Sequence, residues 1–207
     1  MELCHSKLPR FNKDASDSSM TLCFENTSLQ PAYVRVQVQS GGIMEVCRSQ
    51  THDLKMICKI YENAKSFMAQ NGNPTQWGKG YPNIELVKAD IEKGGYVVVE
   101  DEQIVGAFVF VEDACEEVYD NIDGAWLNCK SYGVIHRCAT SVARNGVGQL
   151  ILEWCFNKQG NIRIDTHRNN LPMLNLLKKN GYEYCGKVQY AVSDGERLAF
   201  QKVNDNL

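Results

Sequence analysis

Long apolar runs are missing from this chain. The longest, Val105 to Val111, falls far short of the roughly 20 residues a helix needs to cross a bilayer, so membrane insertion is not expected. The first residues, MELCHSKLPRFNKD, carry charges where a secretory leader would need an apolar stretch, and a cytoplasmic location is the expectation. Runs of Lys and Arg are absent too. With a net charge of −3 and no basic stripe, no nucleic-acid partner is expected. Cysteine is not scarce, but close pairs are. The nine cysteines, at 4, 23, 47, 58, 115, 129, 138, 155 and 185, include no CxxC that could start a zinc ribbon or a thioredoxin-like redox site. Their number is odd, and Cys58 and Cys155 fall inside apolar periodic segments, as free thiols do in a reducing compartment. The histidines, at 5, 52, 136 and 167, form no HExxH, and no metal site is expected.

What is present is the composition of a folded protein, 43% hydrophobic and 23% charged over 207 residues, enough for one ordinary domain with extra length at an end. Residues 1–42 read as an N-terminal extension. NKDASDSS is polar and SGG at 40–42 is a turn signal, while Tyr33 to Gln39 alternates Val34, Val36 and Val38 with polar neighbours, as a strand does. The arm either adds an edge strand or hangs loosely. From residue 43 the chain becomes regular: a strand at IMEVC, then an amphipathic helix over 51–70 with Leu54, Ile57, Tyr61, Ala64 and Met68 on one face and Thr51 as N-cap. The loop NGNPTQWGKGYPN follows. A shorter helix over 84–93 ends at Gly94-Gly95, and a hairpin is predicted from 96–100 and 104–111. The acidic stretch 112–128 is ambiguous. A strand at 132–140, a helix from about 146 to 158, a strand at 161–166, a helix from Asn170 to Lys179 with Leu171, Leu174 and Leu177 inward, and strands at 182–192 and 197–203 complete the pattern.

The chemistry points to one segment, strand 132–140 followed by SVARNGVG and a helix. Gly146 and Gly148 at a helix start let backbone approach a ligand and leave the N–H groups of the first turn uncovered. Those donors and the positive end of the helix dipole suit a phosphate or pyrophosphate. A tight turn into a packed helix needs the same glycines, and both readings stand on this segment alone. The Walker A loop is excluded because Gly148 precedes Gln149 rather than Lys. The dinucleotide fingerprint is excluded because position 151 is Ile and the loop lies late in the chain.

Taken together, QWGKGYPN, GGYVVVEDEQIVGAFVFVED, IHRCATSVARNGVGQLILEWC and THRNNLPMLNLLKKNGYEYCG resemble the GNAT acetyltransferases, over residues 43–203. The resemblance implies an α/β (α+β) fold. Its mixed, mostly antiparallel central sheet would have about six or seven strands, splayed at its centre, and about four flanking helices. It makes 43–207 an acetyltransferase domain that uses acetyl-CoA as co-substrate and acetylates a small-molecule or peptide amine by direct transfer; a homodimer is compatible with it. The family's pyrophosphate signature is met at Gly146 and Gly148, whereas its first position is Ala143, beside Arg144. Carried over, the amides of Arg144, Asn145, Gly146, Val147, Gly148 and Gln149 would hold the pyrophosphate. Cys138, Ala139 and Thr140 would pair with the pantetheine arm as an added strand does. Asn170, with Met173 nearby, would touch the cofactor, although Asn170 reads equally as a helix N-cap.

Acetylating an amine needs a neutral nucleophile, since an alkylammonium of pKa near ~10.4 is almost wholly protonated at neutral pH, and a backbone N–H for the developing oxyanion, here near Cys138. The strand glutamate base of some relatives is replaced by Val134. Tyr132 and His136 share its face, and His136 titrates in the useful range, though a hydrogen-bonded structural histidine fits the same position. The tyrosine acid common in the family is replaced by Leu177. Trp77 and Tyr81 would shape the acceptor pocket or simply pack the loop. The stretch 112–123 either attracts a cationic acceptor or is a solvated loop. Cys138 as an acyl-carrying nucleophile is disfavoured, for no base-plus-orienter set accompanies it. These departures motivate an alternative, a catalytically inactive acyl-CoA-binding sensor or scaffold, and a third reading makes the N-terminal arm a pairing strand for another protein.

Overall fold

The computed structural model describes residues 21–24, 34–37, 43–141, 145–192 and 194–204. Arg144, NKDASDSS and the SGG turn lie outside these residues. In chain order the elements are β1 (Thr21–Phe24), β2 (Val34–Gln37), β3 (Ile43–Arg48), α1 (Leu54–Gln70), α2 (Ile84–Lys93), β4 (Gly95–Glu100), β5 (Gln103–Val111), α3 (Glu117–Asp120), β6 (Asp123–Gly124), β7 (Gly133–Thr140), α4 (Val147–Gln159), β8 (Asn161–Thr166), α5 (Leu171–Lys179), β9 (Glu183–Gln189) and β10 (Glu196–Val203).

The described strands form one sheet in the order β1-β2-β3-β4-β5-β7-β8-β10-β9-β6. Every neighbouring pair is antiparallel except β7 and β8, which run parallel. The sheet exceeds the expected strand number because β1 and β2 extend it beyond β3 and the two-residue β6 closes on β9. β2 falls within the alternating segment read as a strand.

Helix α1 lies on one face of the sheet because its apolar residues recur at helical spacing: Ile57, Ile60, Tyr61 and Met68 are buried against Val97, Ala107 and Ala139. Its start differs from expectation. The Asp53 carboxylate accepts the N–H of Gln50 at 2.8 Å, so a single 3-10 turn over Thr51–Asp53, capped by Gln50, precedes the helix, whose own N-cap position is Asp53 and not Thr51. Asn83 caps α2, accepting from the N–H of Leu86 at 2.8 Å.

On the opposite face α4 buries Val147, Leu150, Ile151, Leu152, Trp154 and Cys155. Burying each large aliphatic side chain there contributes about 1.5–3 kcal/mol, which makes this helix the anchor of the main core. Helix α5 joins the same cluster through Leu177, Met173, Leu174 and Leu176. Leu171, expected inward, is 61% exposed: it is the first helical residue, and the helix reaches the core only from Met173 onward. The acidic stretch resolves into α3 and β6, with Tyr119 buried beside Val134, Val188 and Ala199.

Candidate active site

Strands β7 and β8 share only two residue pairs, Gly133↔Ile162 and Val134↔Arg163. Beyond them the strands separate. Each remains paired on its outer side, β7 to β5 as far as Thr140↔Gly106 and β8 to β10 as far as Thr166↔Leu198. Their inner edges therefore present unladdered backbone N–H and C=O groups, which need partners from a ligand or from water. A cleft of about 660 Å³ occupies the gap, walled by β7 and β8, the start of α4, α5, and α1 with the loop after it.

Strand β7 carries a bulge at the head of this gap. Its register against β5 slips between Ala107 and Val109, so Arg137 and Cys138 together oppose Phe108, and Arg137 adopts φ 49°. A non-glycine residue in the left-handed region costs about 1–2 kcal/mol. The side chain of Arg137 is correspondingly fastened. Its Nε and Nη2 donate to both carboxylate oxygens of Asp90 on α2 at 2.7 Å, and its Nη1 donates to the Tyr81 hydroxyl at 3.1 Å. A paired fork of this kind fixes geometry as well as charge. Burial pushes the neighbouring Cys138 thiol up to about 12. It is therefore a neutral thiol at pH 7, which agrees with its being disfavoured as a nucleophile.

At the other end of the gap, Gly146 is the N-cap of α4 with φ 89°. Its carbonyl accepts the first helical bond, from Leu150 at 2.9 Å, leaving the N–H groups of Val147, Gly148 and Gln149 outside the helical ladder. The first turn holds no acidic side chain to compete with an anion. A Cβ at Gly148 would stand 2.8 Å from Leu176 Cδ2, so this glycine lets α4 and α5 meet beside the loop. Val147 is fully buried and, unlike Gly146 and Gly148 on either side, does not line the cleft.

The far wall is cross-tied. Asn170 Oδ1 caps α5 through Met173 N–H at 3.3 Å, and its Nδ2 donates to Gln76 Oε1 at 3.0 Å. Gln76 Oε1 also accepts from Asn73 at 2.7 Å, and its amide reaches Thr166 Oγ1 at 3.5 Å. Asp194 accepts from Thr75 at 2.6 Å and sits 3.0 Å from Nε2 of the fully buried His167. His167 Nδ1 accepts from Asn169 N–H, so Nε2 carries the proton. These bonds fasten the loop after α1 to the β8 side of the gap.

Cys138, Ala139, Thr140, Asn145, Gly146, Gly148, Gln149, Asn170 and Met173, expected on separate segments, all line the one cleft, as does Trp77. Trp77 is held edge-on by Tyr61 and Tyr81, at ring-centroid distances of 5.5 and 6.2 Å. Tyr81 stands behind it at Arg137. Tyr132 and His136 do not line the cleft. They share a face of the β7 segment with Val134, as strand alternation requires, and meet Glu116: His136 Nε2 lies 2.8 Å from its Oε1, and the Tyr132 hydroxyl accepts its N–H at 3.3 Å. The bond to His136 holds the Glu116 carboxyl below its ordinary value. Among the cleft residues that the sequence did not single out are Gln76, Arg137, Asp165 and Lys179. Among the described residues no group of three or more His, Cys, Asp or Glu could hold a metal ion, and no helix is long and apolar enough to cross a membrane.

Comparison with solved structures identifies the architecture. A GNAT-family acetyltransferase from Streptococcus agalactiae 2603 superposes with TM-score 0.71 at 31% identity, over 78% of this chain and 96% of that one. The chain belongs to the GNAT family. Other GNAT folds are more distant in sequence: one from Listeria monocytogenes 4b F2365 at 16% identity, covering 78% and 95% of the two chains with TM-score 0.58, and the ribosomal-protein-alanine N-acetyltransferase of Brucella melitensis at 17%, covering 77% and 99% with TM-score 0.55. No family profile matches the sequence, and no curated protein does. Membership makes this GNAT protein an acyl-CoA N-acyltransferase, with the cleft between β7 and β8 as its candidate active site. Leu177, at the place of the family's tyrosine, is completely buried.

Proposed function

We propose that the protein transfers the acetyl group of acetyl-CoA directly to an amine of a small molecule or peptide. The observation that carries this reading is the parted pair β7 and β8, whose gap runs from the bulge at Arg137 to the uncovered first turn of α4. The gap fits the cosubstrate by its chemistry. An extended, amide-containing pantetheine arm suits the inner edge at Cys138, Ala139 and Thr140 as an added strand. A pyrophosphate suits the N–H groups from Asn145 to Gln149, with Arg144 next in sequence and Lys179 supplying a cation from α5. Asn170 and Met173 would flank the arm.

The amide at Cys138, beside the bulge, would receive the charge that develops on the thioester oxygen. An acceptor would enter past Trp77, with Tyr81 supporting that wall through Arg137. His136 and Tyr132, both bonded to Glu116 beside the cleft rather than lining it, are the proton-handling candidates and would act through water. With Leu177 in the core, the departing thiolate takes its proton from the amine or from water. A cytoplasmic enzyme with free thiols is consistent with this chemistry.

Calorimetric titration of acetyl-CoA into the full chain, beside Gly146→Trp, tests the assignment. Binding by the wild type and its loss in the variant, followed by amine-dependent release of free CoA, is the expected result. A folded wild type that does not bind acetyl-CoA, or binds it and transfers to no amine, would overturn it.

A further inference from the structure

The loop that opens α4 carries a reactive pair outside the transfer chemistry. Asparagine followed by glycine occurs three times in the chain, at Asn71-Gly72, Asn145-Gly146 and Asn180-Gly181. In such a pair the backbone nitrogen of the glycine can attack the asparagine side-chain carbonyl, because no Cβ stands in the way. The fold restrains two of the three. The Asn180 side-chain amide donates to Leu176 O at 2.8 Å, and Gly181 N–H donates to Lys178 O at 3.2 Å, so amide and nucleophile are both tied. The Asn71 amide donates to Phe67 O at 2.8 Å, and the Gly72 carbonyl accepts from Asn169 at 3.1 Å. At Asn145 neither group is held. The residue is exposed, and its side chain makes no hydrogen bond with the described residues. Nor does the N–H of Gly146, whose carbonyl alone is engaged, by Leu150 N–H. Gly146 also stands at the N-terminus of α4, with no acidic side chain in the first turn. The positive end of a helix stabilises the negative charge that its nitrogen develops on losing a proton.

We infer that Asn145-Gly146 is a site of spontaneous deamidation, and that the carboxylate formed there ends acyl-CoA binding. The inference rests on the pyrophosphate reading above for its effect, though not for its chemistry. The Gly146 nitrogen gives up its proton and bonds to Cγ of Asn145. The bond from Cγ to the side-chain nitrogen breaks, and ammonia leaves with the proton. Water then opens the succinimide at either carbonyl, giving aspartate or isoaspartate. Asparagine and water thus yield a carboxylate and ammonium, with nothing oxidised or reduced. Two consequences fall on one spot. A negative charge appears in the row of amides from Asn145 to Gln149, where it suits the helix end but opposes an incoming phosphate. The isoaspartate form also adds a methylene to the main chain and so displaces the amides. A bound pyrophosphate, by contrast, engages the Gly146 N–H and covers the loop, so the occupied enzyme is protected and the idle one ages.

The test incubates the full chain at mildly alkaline pH, with and without saturating acetyl-CoA, and samples it with time. Peptide mass mapping follows the exchange of amide for carboxyl at each asparagine, and calorimetry follows acetyl-CoA affinity. Asn145 should convert about 10-fold or more faster than Asn180, where two hydrogen bonds must break first, and faster than Asn71. Converted protein should bind acetyl-CoA at least about 10-fold more weakly, the scale of a like charge set beside an anion, with its thermal melt kept. Acetyl-CoA present throughout should slow conversion at Asn145 and leave Asn71 and Asn180 unaffected. Neither Asn145→Gln, one carbon too long, nor Asn145→Ser, without an amide, can close the succinimide, and each should hold its own starting affinity through the same incubation. Equal conversion at all three pairs, converted protein that binds as before, or parallel loss in the two variants overturns the inference and leaves the acetyl-CoA site standing. A fresh wild type that does not bind acetyl-CoA overturns the reading above, and the inferred effect with it.

Discussion

Removing the carboxylate of Asp90 asks whether the bulge in β7 is held from outside the strand. Asp90 and Arg137 pair with side chains only 12% and 13% exposed, so the loss belongs on the scale for buried ion pairs, about 3–5 kcal/mol when one partner is removed. In Asp90→Ala the guanidinium keeps the Tyr81 hydroxyl, which places the expectation at the low end, about 3 kcal/mol. At roughly 2–4 °C per kcal/mol for a domain of this size, the variant should melt about 6–12 °C below wild type. Adding Arg137→Gly removes the stranded charge and relieves φ 49°, so the double variant should melt above the single one. Acetyl-CoA should bind Asp90→Ala more weakly, since Cys138 to Thr140 follow directly from the bulge. Thermal and urea melts give the stabilities, and calorimetry gives the affinity. A single variant within about 1 kcal/mol of wild type, small against the scale for a buried pair, or a double variant less stable than the single, would refute the idea of a clamped bulge.

Two further outcomes follow from other contacts. Glu116 has its carboxyl held below the ordinary 4.5 by its bond to His136. A depressed carboxyl contributes stability above its unfolded pKa and loses it as pH falls through the folded one. Melts of wild type and Glu116→Gln should therefore differ near neutrality and converge as pH falls below the ordinary 4.5 and through the lowered folded value; a gap that widens in acid would contradict this. Leu177→Tyr, which restores the residue type the resemblance leads one to expect, should cost roughly 1–3 kcal/mol by overpacking a fully buried site. CoA release should not accelerate, and a faster variant would show that the hydroxyl reaches the leaving sulfur.

The elements of the fold were legible wherever burial is periodic. Val147, Leu150, Ile151 and Trp154 mark the buried face of α4 by spacing alone, and the hairpin of β4 and β5 announces itself by β-branched runs around a polar turn. The site was legible in part, because backbone-binding positions depend on strand and helix boundaries, and those are read from pattern. What escaped depends on register and on tertiary partners. The bulge at Arg137 arises from pairing with β5, and no local signal distinguishes that arginine from a solvated one. Asp165 has the alternation of an ordinary strand residue, and its place at the cleft follows only from the ladder's ending at Arg163. Leu171 fits the helical stripe, but where a helix first meets its sheet is set by the connection before it. Thr51 is a better cap by residue type than Gln50. It yields because Asp53 captures the backbone N–H of Gln50 instead.

The short ladder between β7 and β8 has a mechanical consequence. Along this seam the sheet is two leaves on a spine of two residue pairs, with the Gln76 cross-ties acting as a strap over the open end. The leaves are thus set apart before any ligand arrives. A guest that bonds to both inner edges does not have to prise them open, and it lengthens the spine that joins them. Occupancy would then make the two leaves unfold together, so that the enzyme is most nearly a single cooperative body when its substrate is in place.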